Sequence, residues 1–250
     1  MPIYEWHTNY TNNVVADLYH SHAFVYWYRC QIYQICMENA IPFLFHIAVL
    51  IFSVVIHEVA HGYAALALGD HTAEQEGRLT LNPLPHIDPF GSILLPAMGF
   101  FLGGVIFGWA RPVPYNPYNL RNQKWGPAIV GAAGPAANVG LALAFGLMLR
   151  FLPGAAASLP GAFVFNFMMV AGTIALLNLS LAIFNLVPIP PLDGSKVLFA
   201  LLPYQWRGVA PFLEQYGFIL LLFFIFFFSG WLAPLIFFAF RVLTGASPFL

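Results

Sequence analysis

Five consecutive residues, His57-Glu58-Val59-Ala60-His61, carry the chemistry most directly read from this chain. Histidines four apart on an α-helix stand on one face, one turn apart, so both rings can grip one metal ion. A glutamate beside the first histidine is placed as the general base of a zinc hydrolase. The five residues lie inside a long apolar run, Ile41–Leu68. An ionisable side chain near the centre of a bilayer costs at least ~2.5–3.5 kcal/mol and marks a functional site by default. Three such side chains in five residues are hard to explain without a metal.

A catalytic zinc site takes three protein ligands and a water, so two histidines leave it one short. Asp193 is the best-placed carboxylate. It stands in Asn185-Leu186-Val187-Pro188-Ile189-Pro190-Pro191-Leu192-Asp193-Gly194, just past a later apolar run. There prolines end a helix and glycine lets the backbone turn. Read alone, Asp-Gly is as readily a turn pair in a solvated loop; the histidine motif tips the reading toward a ligand. Asp70, Glu74, Glu76 and Asp88 fall in a polar loop, and Glu214 precedes the last apolar run.

The elements that must position these residues are set by composition. Of 250 residues, 60% are hydrophobic and only 8% charged, with a mean hydropathy of +0.76. A soluble domain is about 25% charged. The fold expected is therefore an all-α polytopic membrane protein. A net charge of −1 offers no basic surface for nucleic acid. Cys30 and Cys36 form no CxxC pair, so neither a disulfide framework nor a thiolate zinc site is expected. No basic segment leads into an apolar run at the N-terminus, so no cleavable signal peptide is expected.

Four runs, Ile41–Leu68, Pro127–Phe151, Ala162–Val187 and Gly217–Val242, are long enough as helices to cross ~30 Å of hydrocarbon. Pro234 is expected to kink the last. Ser92–Trp109 is apolar but carries Pro96, Gly99, Gly103, Gly104 and Gly108. The expected architecture is a bundle of about four to six transmembrane helices with a re-entrant segment. The alternation in Arg78–Pro83 predicts a short β-like loop, and the prolines and asparagines of Trp109–Gln123 an extended one. Residues 1–40 read as an interfacial or poorly ordered extension and residues 41–250 as the core. His71 and His86 read as solvated loop residues, and His46 lies too far along the helix to share a metal with His57.

Topology supplies an independent constraint. The histidines lie in the latter half of the first span, so the metal is nearer that span's C-terminal side. Asp193 must reach the same side. It does so only if Ser92–Trp109 dips in and returns. That side then carries Arg78, Arg111, Arg121, Lys124, Lys196 and Arg207 against Arg150 and Arg241 on the other, and the positive-inside rule makes it cytoplasmic.

HExxH in a membrane span, then Gly134-Pro135-Ala136-Ala137-Asn138 in a following span, then the proline-rich Leu192-Asp193-Gly194, resembles the site-2 protease family of intramembrane zinc metalloproteases. Gly77-Arg78-Leu79-Thr80-Leu81-Asn82-Pro83 and Gly108-Trp109-Ala110-Arg111-Pro112-Val113-Pro114 resemble its compact prokaryotic branch, without PDZ or CBS domains. The resemblance covers about residues 41–210 and says nothing of residues 1–40. It implies an intramembrane metalloprotease core with one Zn2+ held by His57, His61 and Asp193, and Glu58 as general base. Asn138 would hold the substrate backbone or the developing oxyanion; its other reading is an interhelical hydrogen bond. Asn185 would orient the loop that carries Asp193. The implied partner is a transmembrane or membrane-tethered protein segment entering sideways from the lipid bilayer and unwinding locally. The implied location is a prokaryotic cytoplasmic membrane. The rival reading is a catalytically silent metal-binding scaffold or a metal transporter. A transporter would spread its ligands along a path through several spans, and binding alone has no need of Glu58 beside His57.

One outcome follows from the topology. Single cysteines placed on either flank of residues 92–109 should react with an impermeant thiol reagent from the same membrane face. Labelling from opposite faces would rule out the re-entrant segment.

Overall fold

In hydrocarbon every backbone N–H and C=O must find its partner within the protein, and a helix achieves this locally. The long apolar runs accordingly fold as helices. The computed structural model describes residues 40–94, 110–155, 160–206 and 208–245. Helix α1 spans Ala40–Ala67 and is followed by the short α2, Thr72–Gln75. Then come α3, Gly126–Ala155, and α4, Gly161–Asn185. A short α5, Gly194–Leu201, precedes α6, Val209–Phe227, and α7, Leu232–Thr244. Four helices contain stretches long and apolar enough to cross a membrane: Phe45–Ala67, Gly126–Phe151, Phe163–Asn185 and Val209–Phe227. The protein is an all-helical, polytopic membrane protein.

Helices α3 and α4 form the central pair. Ala142 of α3 packs on Ala175 and Leu179 of α4, with Phe240 of α7 closing the cluster. Small residues at such contacts let helix backbones approach closely. Helix α1 runs antiparallel to α3, since His61 meets Val130 while His57 meets Asn138. Ser53 of α1 accepts a bond from Asn178 of α4 at 2.9 Å, and both side chains are buried.

The single span expected over Gly217–Val242 is two helices. A tight turn at Ser229–Trp231 separates α6 from α7, and Pro234 falls in the first turn of α7, where a missing N–H costs nothing. Ala210, Glu214 and Phe218 of α6 share a cavity with Lys124 and Pro127 at the start of α3. At the far end of α3, Arg150 donates to the Val242 carbonyl at 2.8 Å. Helix α7 packs on both α3 and α4.

The strand expected over Arg78–Pro83 is not formed; among the described residues there is no strand, hence no edge there for an added one. Arg78 is buried instead. Its guanidinium turns inward and donates to the carbonyls of Pro85, Arg111 and Pro112. His86, expected in solvent, is buried, with its Nε2 3.0 Å from the Thr80 carbonyl. The segment expected to be re-entrant, and the extension over residues 1–40, lie almost wholly outside the described residues.

Asp70 fastens the extended loop to the end of α1. Its buried carboxylate accepts from the Thr72 backbone N–H and hydroxyl, from the Asn116 N–H at 2.6 Å and from the Asn119 amide at 2.9 Å. Leu120 is buried beneath it against Ala65 and Val130, a contact worth about 2 kcal/mol. Burial alone would raise the Asp70 pKa, but the four donors outweigh it and hold the carboxyl below its ordinary 3.8. A carboxylate with a lowered folded pKa stabilises above the unfolded value and loses that contribution as pH falls through the folded one. Asp70→Ala is expected to lower stability by about 2–4 kcal/mol. In thermal unfolding in detergent, its deficit should be constant above pH 3.8 and shrink below it.

Candidate metal centre

Helical periodicity puts His57 and His61 on the face of α1 that meets α3. The rings stand edge to face, with centroids 4.6 Å apart. The chain reaches the same point again after α4. That helix ends at Asn185, and Val187-Pro188-Ile189-Pro190-Pro191 turns the backbone back toward the bundle before α5 begins at Gly194. A side chain at Gly194 would strike the carbonyls of Leu186 and Val187, so only glycine lets this turn close. The closure delivers Asp193 to the histidines.

Three donor atoms converge. The Asp193 Oδ2 lies 3.0 Å from His57 Nε2 and 3.1 Å from His61 Nε2, and the two Nε2 atoms are 3.0 Å apart. All three residues are buried, and among the described residues they form the one group of such donors able to hold a metal ion. A tetrahedral zinc site with ligands at about 2.0–2.1 Å spaces its donors ~3.3 Å apart, close to these separations. The chemistry of the donors agrees. His61 Nδ1–H donates to the Val130 carbonyl at 2.6 Å, which leaves the Nε2 lone pair facing the cluster. Lys196 donates to Asp193 Oδ1 at 3.0 Å and leaves Oδ2 for the centre. Burial would raise the Asp193 pKa; the His57 and His61 rings that face it and the Lys196 ammonium outweigh this and hold the carboxyl well below the usual range. Space is provided by Gly134. A Cβ there would lie 2.5 Å from His61 Nε2 and 2.6 Å from His57 Nε2, so only glycine lets α3 approach the two rings.

Glu58 is half-buried beside the cluster, on the neighbouring strip of α1. Its Oε2 accepts the Val113 backbone N–H at 3.0 Å. The loop around Val113 is held in turn by Arg78, which bonds Arg111 and Pro112. Burial, and then the nearby Arg111, pull the Arg78 pKa down, while Glu76 and Glu58 oppose this.

Comparison with known proteins gives this site a lineage. Residues 153–229 match the profile of peptidase family M50. YwhC of Bacillus subtilis, named as a zinc metalloprotease, is 38% identical over 184 residues, covering 74% of this chain and 80% of that protein. The chain belongs to peptidase family M50. Rip2 of Mycolicibacterium smegmatis, also named as a zinc metalloprotease, is 36% identical over 180 residues, 71% of this chain and 65% of its own length. MJ0611 of Methanocaldococcus jannaschii shares 46% identity over 70 residues, 28% of this chain and 31% of its own. No solved structure matches the chain. As an M50 peptidase, the site-2 protease family, the protein is a zinc metalloendopeptidase, and the buried His-His-Asp cluster suits Zn2+.

Of the residues singled out in this M50 chain from sequence, His57, His61 and Asp193 are brought together, with Glu58 beside them. Asn138 meets the back of the His57 ring, its amide nitrogen 3.2 Å from Nδ1. The Asn185 amide donates to the Leu181 carbonyl one turn back on α4 at 2.9 Å. Lys196, Val130 and the Arg78–Val113 brace were not found by sequence reasoning. Lys196 has a local signal, since it lies three residues after Asp193 at the start of a helix. The other two act through backbone atoms, which residue identity does not reveal.

The Gly134 contact yields a direct expectation. Gly134→Ala should weaken zinc binding by at least about tenfold, measured by chelator competition. Gly140→Ala, on the same helix with nothing within 4 Å of the added methyl, should leave it unchanged.

Proposed function

We propose that the protein is a zinc-dependent intramembrane endopeptidase that hydrolyses peptide bonds in or near transmembrane segments of other membrane proteins. His57, His61 and Asp193 hold the zinc, and Glu58 is the general base. One observation carries this reading: the three donors meet at 3.0–3.1 Å, two of them from a helix long and apolar enough to cross a membrane. At ~1.5 Å per residue, His57 and His61 lie about 15 and 9 Å from the Ala67 end of α1's membrane-spanning stretch. Bound at these donors, zinc supplies a Lewis acid that polarises the scissile carbonyl and acidifies the attacking water. Glu58 takes the water proton and passes it to the departing amine. The Val113 N–H fixes one oxygen of Glu58 and leaves the other for this exchange. Lys196 holds Asp193 Oδ1 and leaves Oδ2 turned to the centre.

The substrate is a transmembrane or membrane-tethered segment arriving from the bilayer. An intact helix hides its peptide bonds in its own hydrogen bonds, so the segment unwinds before cleavage, and residues that weaken helices favour it. The metal end of α1 faces the cytoplasm. Arg78, Arg111, Arg121, Lys124 and Lys196 belong to the loops and helix start at that end, and Arg150 and Arg241 to the opposite one.

Glu58→Gln keeps a side chain of the same shape and removes the base. Purified in detergent with tagged transmembrane peptides, it is expected to retain parent zinc content and lose cleavage by about 10²–10⁴-fold. Equal cleavage by the two proteins would remove Glu58 from the mechanism. Zinc in neither would remove the metal from this site.

A further inference from the structure

The two imidazoles of the centre are held from behind by different groups. His61 Nδ1 faces the Val130 carbonyl at 2.6 Å, an atom that can only accept. That ring therefore carries its proton on Nδ1 and presents a bare Nε2. His57 Nδ1 faces the side-chain amide of Asn138, which is fully buried on α3 one turn beyond Gly134. The nitrogen of that amide is drawn 3.2 Å from Nδ1, and its oxygen has no partner.

The nitrogen and oxygen of an amide exchange places in a half-turn, and their assignment follows from the surrounding network. The drawn orientation leaves the amide oxygen without a partner, so counting bonds does not favour it. The chemistry of the ring decides between the two. With the amide nitrogen toward His57, Nδ1 must accept, and the ring proton sits on Nε2, the atom 3.0 Å from both Asp193 Oδ2 and His61 Nε2. A protonated Nε2 cannot ligate a metal. With the amide oxygen toward His57, Nδ1–H donates to it and Nε2 is bare. Both rings then share one tautomer, one set by Val130 and the other by Asn138.

We propose that Asn138 is a positioning residue for the metal: its side-chain oxygen accepts the Nδ1–H of His57 and fixes that ring with Nε2 toward the zinc. This rests on the zinc reading given above. It differs from the role expected by resemblance, in which Asn138 donates to the substrate or the oxyanion. Its burial supports the reassignment, since a side chain with 0% exposure has no face open to a substrate. Groups that orient a ligating histidine in this way typically contribute about 10–100-fold to metal affinity.

Two variants separate the roles. Asn138→Leu is close in size and removes the acceptor. Asn138→Asp keeps an acceptor oxygen and removes the donor. The full chain, purified in detergent, is titrated against a competing zinc chelator, with thermal unfolding of the zinc-free protein as the check on folding. The expected result is about 10–100-fold weaker zinc binding in Asn138→Leu, and parent affinity with retained cleavage in Asn138→Asp. Parent affinity in Asn138→Leu would overturn the proposal. So would an Asn138→Asp protein that holds zinc and cannot cleave, because a donor to substrate behaves that way; this second outcome decides even if Asn138→Leu fails to fold. A parent protein that holds no zinc would instead overturn the zinc reading itself.

Discussion

The close antiparallel approach of α1 and α3 at Gly134 is the contact on which the rest of the centre depends. Two imidazoles and a carboxylate are costly to bury in a low-dielectric interior unless they share charge and hydrogen bonds. They can do so only if the rings stand close, and they stand close only because no side chain projects from Gly134 between them and α3. The same approach puts the Val130 carbonyl within 2.6 Å of His61 and the Asn138 amide within 3.2 Å of His57. A one-turn spacing along α3, at Val130, Gly134 and Asn138, thus answers the one-turn spacing of His57 and His61 on α1. Two helices in register build most of the site.

The third donor comes from a different structural device. Asp193 is delivered by a turn rather than a helix face, and its position depends on where α4 ends and how Gly194 lets the chain close. Lys196, on the first turn of α5, then binds the outer oxygen of that carboxylate. The centre therefore joins segments more than a hundred residues apart, with α3 and α4 as the rigid frame between them. The loop on the other flank is held with equal care. Asp70 fixes it to α1 at Asn116 and Asn119, and Arg78 fixes it at Arg111 and Pro112. Between these two braces the Val113 N–H meets Glu58. Polar groups remote from the cluster thereby set the posture of the base.

The outer helices answer a different solvent. Helices α6 and α7 bury few of their side chains, and Phe226, Phe227, Phe238 and Trp231 are largely exposed. In water such a surface would be a liability; against lipid tails it is the expected covering. Among the described residues, most charged side chains are correspondingly at the metal end of the bundle, where the loops and the centre lie.

Much of this was legible in the residues themselves. The 3.6-residue period fixes His57 and His61 on one face whatever surrounds them, and the length of the apolar runs fixes the helices, because hydrocarbon leaves a lone segment no other way to pair its backbone. The Asp-Gly after a proline-rich stop is locally as good a turn pair, and it reads as the third donor only beside the histidine motif. What sequence could not decide is what depends on distant partners. Arg78–Pro83 alternates like a strand, but no strand forms among the described residues, and Arg78 is paired to three carbonyls. Gly217–Val242 reads as one span, yet the chain breaks at Ser229–Trp231 and restarts. His86 looks like a loop histidine until the Thr80 carbonyl covers it. Asn185 sits in a family-like motif and turns back on its own helix. Val130, Val113 and Gly134 matter through a carbonyl, an N–H and a missing methyl. Those roles have no signature in residue type and exist only once the tertiary structure sets one backbone against another.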